Sequence, residues 1–96
     1  MTFEQLSYFI AIVENDTFFD AACEMNISQS SLSKQIMKLE KELDLTLFDR
    51  TTRSATLTQA GEFFYNEAKQ LIENYKLTLE NIQNFKSLHE NKLHIA

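Results

Sequence analysis

ISQSSLSKQIMKLEKELDLTLFDR, residues 27–50, decides how the rest of the chain is read. Ser28 is a good helix N-cap, because its hydroxyl can accept from a backbone N–H left free one turn into the helix. Leu32, Ile36, Leu39 and Leu43 follow at i, i+4, i+7 and i+11, the spacing of one helical stripe. At about 100° per residue, Ser30, Ser33, Lys34, Met37, Lys38 and Lys41 fall on the other side. That outer face opens with small hydrogen-bonding side chains and runs into lysines, and Ser28 to Leu39 holds no acid. Such a helix is anchored by leucines and offers its N-terminal end to an anionic, hydrogen-bonding partner. Taken alone, it is equally an amphipathic helix with a solvated face.

Upstream, Thr2 with Gln5 three residues on has the pattern of a capping box. Phe3, Leu6, Phe9, Ile10 and Val13 then form a helical stripe to about Asn15. Asn15-Asp16 is turn chemistry. Thr17 caps a second, short helix with Asp20 at its N3 position and Phe18, Ala21, Ala22 and Met25 on the inner face. Cys23 lies on this amphipathic segment and is expected to be a buried structural thiol. Asn26 can adopt the left-handed conformation that ends a helix without glycine, and Ile27 plugs the turn before Ser28. A short helix, a tight turn and a second helix with a polar outer face make a helix-turn-helix.

Downstream the pattern changes. Residues 44–48 are short and apolar, residues 49–54 form a polar tip, and residues 55–58 are rich in β-branched side chains. This predicts a two-stranded hairpin, a wing with a basic, threonine-rich loop. From Thr58 to about His89 the sequence predicts one helix about 45 Å long. Heptad spacing relates Gly61, Ala68, Tyr75, Ile82 and His89, and likewise Phe64, Leu71, Thr78 and Phe85. A helix of that length on so small a domain cannot bury its far half alone, and a partner helix is the natural cover. The expected dimer surface is Phe64, Ala68, Leu71, Tyr75, Leu79, Ile82 and Phe85. Residues 91–96 alternate polar and apolar side chains, like the opening of a strand in a further domain. The expected organisation is therefore a winged helix-turn-helix over 1–58, a dimerisation helix over 59–89 and the start of another domain over 90–96.

Composition sets limits on function. Ninety-six residues with one glycine and no proline fit one small, almost entirely helical domain. One cysteine excludes an intramolecular disulfide and a multi-cysteine zinc site. His89 and His94, at i and i+5, share no helix face and have no catalytic cluster around them, so neither an enzyme nor a metal or other cofactor is expected. No basic, apolar leader and no membrane-length run is present, which points to a cytoplasmic protein. The net charge of −5 argues against nucleic acid at first sight, but its distribution is uneven. Residues 1–27 carry −5 with no Lys or Arg, residues 28–60 carry +1, and residues 61–96 carry −1. Both arginines and the acid-free helix start fall in the middle block.

The blocks LSYFIAIVEN (6–15), TFFDAA (17–22), ISQSSLSKQIMKLEKEL (27–43), LFDR (47–50) and LTQAG (57–61) closely resemble one family. This is the N-terminal winged helix-turn-helix domain of LysR-type transcriptional regulators. The resemblance covers essentially the whole chain. It implies a mainly helical fold with a small hairpin wing and a long dimerisation helix. It implies a dimer on double-stranded DNA, with the helix from Ser28 in the major groove and the 49–55 loop over a minor groove. Positions matching the family's contacts are Gln29, Ser30, Ser33 and Lys34 on the helix and Arg50 and Arg53 at the wing. Ser28 and Lys38 complete the candidate set. An effector ligand would bind a domain outside these residues. Ser30 stands where the family commonly has proline, Lys34 where arginine is usual, and Glu4 where a basic residue is frequent. Asp16 and Asp44 replace common glycines. The competing reading is a dimeric helical interaction module that does not bind DNA. Lys34, Arg50 and Arg53 on one surface with acids on the opposite one would favour DNA, and a mixed surface the alternative.

Overall fold

Capping side chains set the element boundaries in the computed structural model, which describes residues 1–51 and 54–95, with side chains to residue 89. The elements are α1 (Phe3–Asn15), α2 (Phe18–Met25), α3 (Gln29–Leu43), β1 (Phe48–Asp49), β2 (Thr56–Leu57) and α4 (Gln59–Ile95). At the head of α1, Thr2 Oγ1 accepts from the Gln5 N–H at 3.0 Å and Gln5 Oε1 accepts from the Thr2 N–H at 3.1 Å, the reciprocal capping box. Thr17, Ser28 and Thr58 accept in the same way from the amides of Asp20, Ser31 and Gly61. The first three helices end in left-handed residues, Asp16, Asn26 and Asp44, with φ of 67°, 60° and 56°. Aspartate and asparagine tolerate that conformation better than other residues with a Cβ.

The core forms where α1, α2, α3 and the start of α4 meet. Phe9, Ile12, Leu32, Ile36, Leu39, Leu47 and Phe48 are fully buried. Phe9 is central: its ring centroid lies 5.3 Å from Phe48 and 4.9 Å, edge-on, from Phe64. Ala21 and Ala22 are buried in the middle of α2, where small side chains allow close helix packing. Gly61 permits the closest approach. A Cβ there would collide with the Leu47 carbonyl oxygen and crowd the Leu57 side chain at 2.9 Å.

Four expectations need correction. Cys23 is exposed. It lies two residues, about 200°, from Ala21, so burying the alanines turns the thiol outward. The wing strands are two residues each, antiparallel, pairing Phe48 with Leu57 and Asp49 with Thr56. Residues 44–47 form no strand because the backbone there closes α3: the Leu45 N–H returns to the Glu40 carbonyl at 3.0 Å. The tail is not strand-like, since α4 runs on to Ile95. An existing helix gains one hydrogen bond for each residue added, whereas a lone strand has nothing to pair with. Finally, Phe64 and Ala68, at 9% and 0% exposure, are spent in the chain's own core and leave little for a second protomer.

Candidate nucleic-acid interface

The outer face of α3 is built as its sequence pattern requires. Leu32, Ile36 and Leu39 are buried, while Gln29, Ser30, Lys34, Met37, Lys38 and Lys41 are exposed and Ser33 is half-buried. Ser28 is occupied by capping: its Oγ accepts from the Ser31 N–H at 3.1 Å and lies 2.8 Å from the Ser31 hydroxyl. No acid stands in the first turn, so the free N–H groups and the positive end of the helix dipole are uncompensated there.

The candidate residues divide between two flanks of α3. Gln29, Ser33 and Arg50 line one cleft of about 520 Å³ between α2, α3 and the wing. Phe19, Asp20, Asp49 and Ser54 line it too, so this flank is mixed in charge and carries an exposed aromatic. Lys34 and Lys38 line a groove of about 550 Å³ on the other flank with Gln35, Met37 and Lys41. Lys34 and Arg50 thus line different clefts, the lysine one free of acids and the Arg50 one mixed in charge. Arg53 lies outside the described residues.

The wing is tied down on both sides. The Ala55 N–H donates to the Asp16 carbonyl at 2.8 Å, joining β2 to the α1–α2 turn. On the other side stands Glu40, which sequence reasoning did not single out. Its Oε2 accepts from the amides of Leu47 at 2.7 Å and Phe48 at 3.3 Å, and its Oε1 from Arg50 Nη2 at 2.8 Å. Only its place on the last turns of α3, shortly before the apolar 45–48 segment, could have signalled this. At the tip, the Thr51 hydroxyl and amide donate to Asp49 Oδ1 at 2.6 and 3.0 Å. These hydrogen bonds, the side-chain one foremost, hold the Asp49 carboxyl below its ordinary value.

Beyond its first turns α4 leaves the core. Leu71, Tyr75, Leu79, Ile82 and Phe85 are all exposed in the single chain. Tyr75 is not without an internal neighbour, since its ring centroid lies 4.5 Å from that of Phe3. Among the described residues no cluster of three or more His, Cys, Asp or Glu could hold a metal ion. No helix among them is long and apolar enough to cross a membrane.

Comparison with known proteins fits this geometry. The family described as bacterial regulatory helix-turn-helix proteins, lysR family, matches residues 3–62. The uncharacterised transcriptional regulator YbhD of Escherichia coli K12 is 39% identical over 88 residues, covering 92% of this chain and 28% of YbhD. The regulator TfdT of Cupriavidus pinatubonensis is 44% identical over 72 residues, covering 75% of this chain and 32% of TfdT. The chain thus spans about a third or less of the length of these relatives. Among solved structures, the BenM DBD in complex with benA site 1 DNA superposes with a TM-score of 0.88 at 37% identity, covering 91% of this chain and 98% of that one. The CbnR DBD–DNA complex does so at 0.82 and 32% identity, covering 86% and 95%.

Proposed function

Because this chain belongs to the lysR family of bacterial regulatory helix-turn-helix proteins, we propose that it binds duplex DNA as a dimer and regulates transcription. The observation that carries this is the match in shape and sequence to domains solved on DNA, over nearly the whole length of both chains. The relatives are named as transcriptional regulators, and no catalytic reading competes with that. On this reading α3 enters the major groove and Gln29 and Ser33 face base edges. Glutamine can make a bidentate pair with adenine, and serine serves as donor or acceptor. Lys34, Lys38 and Lys41 give the phosphate attraction, since Asp20 and Asp49 weaken it in the opposite cleft. Arg53, in the polar sequence 49–54, suits a narrow minor groove. Residues 90–96 lead toward an effector domain that would hold any regulatory ligand, and the site of action is the cytoplasm.

The test is selection of bound fragments from genomic DNA, followed by titration of the enriched duplex with the chain and with Lys34→Ala. The substitution should cost roughly 1–3 kcal/mol and relax the preference at one or two base positions. No enrichment, and no binding at low salt, would favour the interaction-module reading instead.

A further inference from the structure

We propose that Arg50 is a positioning residue that locks the wing to the recognition helix, and that its charge is not offered to a DNA phosphate. The inference rests on the DNA-binding reading above but assigns this arginine a different task from the one its place in the wing suggests. Three elements meet at its guanidinium. Nη2 donates to Glu40 on α3 at 2.8 Å. The guanidinium carbon stands 5.7 Å from the centroid of the Phe18 ring on α2. Phe18 in turn packs edge-on against Phe48 of β1, with centroids 5.3 Å apart. Arg50 itself directly follows β1, so one side chain ties the base of the wing to both helices of the helix-turn-helix.

Glu40 is equipped for this work. Its side chain is only 14% exposed, and each of its oxygens has a donor: Arg50 on one, the Leu47 and Phe48 amides on the other. A carboxylate this enclosed needs a cation, and a planar guanidinium can bond it while stacking on an aromatic face. Arg50, though its side chain is 41% exposed, thereby has its charge paired within the chain. A phosphate approaching it through the cleft would also meet Asp20 and Asp49, which line that cleft. Counterion release counts net charge brought to the backbone, and a closed Arg–Glu pair brings none. The lysine flank of α3 has no acid in its lining and is where phosphate neutralisation belongs.

The experiment compares the unsubstituted chain with Arg50→Gln, Arg50→Lys and Lys38→Gln on one selected duplex at several salt concentrations. Amide exchange of Leu47 and Phe48 is measured without DNA. Lys38→Gln should flatten the log–log salt slope by roughly 1–2 for two protomers. Arg50→Gln should lower affinity severalfold with the slope unchanged and speed exchange at both amides by tenfold or more. Arg50→Lys, which keeps a cation for Glu40, should restore most of the protection. A slope flattened by Arg50→Gln as much as by Lys38→Gln would overturn the proposal, as would unchanged affinity. If the unsubstituted chain binds no duplex at all, the functional reading fails; the exchange measurement then still decides whether Arg50 locks the wing, and unaltered protection would overturn that.

Discussion

At the scale of single residues, two positions set the local geometry of the wing and can be tested directly. Asp49 is held ionised by Thr51, hydroxyl first and amide second, so its carboxyl titrates below the ordinary 3.8. A lowered folded pKa contributes stability above the unfolded value and loses it as pH falls through the folded one, so the loss falls in acid below about 3.8. Thr51→Val should move the Asp49 midpoint back toward the ordinary value in an NMR titration, and an unmoved midpoint would place the cause elsewhere. Gly61 is the second position. With the Leu47 carbonyl in the way of any Cβ, Gly61→Ala must push α4 off the loop. Overpacking of this kind costs roughly 1–3 kcal/mol, despite alanine's better helix propensity. Denaturant unfolding would measure it, and a neutral or stabilising result would mean that the loop yields freely. Glu40 shows why some of the site was hidden in the sequence. Among lysines and acids at helical spacing it reads as one more solvated charge, and only the fold brings the amides of Leu47 and Phe48 to its oxygens.

At the scale of elements, the helix starts were legible because capping is local chemistry. Thr2, Thr17 and Ser28 each cap where the pattern places them, and Asn26 ends α2. The stripe Leu32, Ile36, Leu39 is buried for the reason that periodicity gives. The wing was harder, since two strands of two residues carry almost no periodic signal. Its position is held by the carbonyl of Asp16 and by Glu40, contacts distant in sequence. The α4 stripe misled for a related reason: one apolar stripe serves two surfaces in succession. Phe64 and Ala68 go to the domain core, whereas Leu71, Leu79, Ile82 and Phe85 are exposed. The α3 terminus offers a test at this scale. Asp44 is left-handed at φ 56° and places a negative charge at the negative end of the helix dipole. Asp44→Gly relieves both and should stabilise the domain by about 0.5–1.5 kcal/mol. Thermal or denaturant unfolding would check it. A loss of stability would reveal a role for the carboxylate beyond the cap.

At the scale of the molecule, which is 64 Å in its longest dimension, the apolar residues Leu79, Ile82 and Phe85 on the outer part of α4 are without cover in the single chain. On the proposed reading, dimerisation through this face would answer the weakness of one recognition helix with few cations: two helices at a fixed separation would read two half-sites and gain from effective concentration. Leu71 and Ile82, 42% and 48% exposed, lie outside the buried core, so removing both should leave the monomer's helical content intact. Leu71→Ala with Ile82→Ala should shift the chain toward monomer in ultracentrifugation. It should also lose affinity for a two-half-site duplex far more than for a single half-site. A double variant that stays dimeric would place the interface elsewhere. On the proposed reading, this acidic chain binds duplex DNA through a few cations, the α3 lysines foremost, carried twice in a dimer. The most direct test of this is the affinity for a selected duplex as a function of salt. A log–log slope of roughly −3 to −6 is expected for two protomers. A slope near zero, or no binding to any selected duplex at low salt, would contradict it.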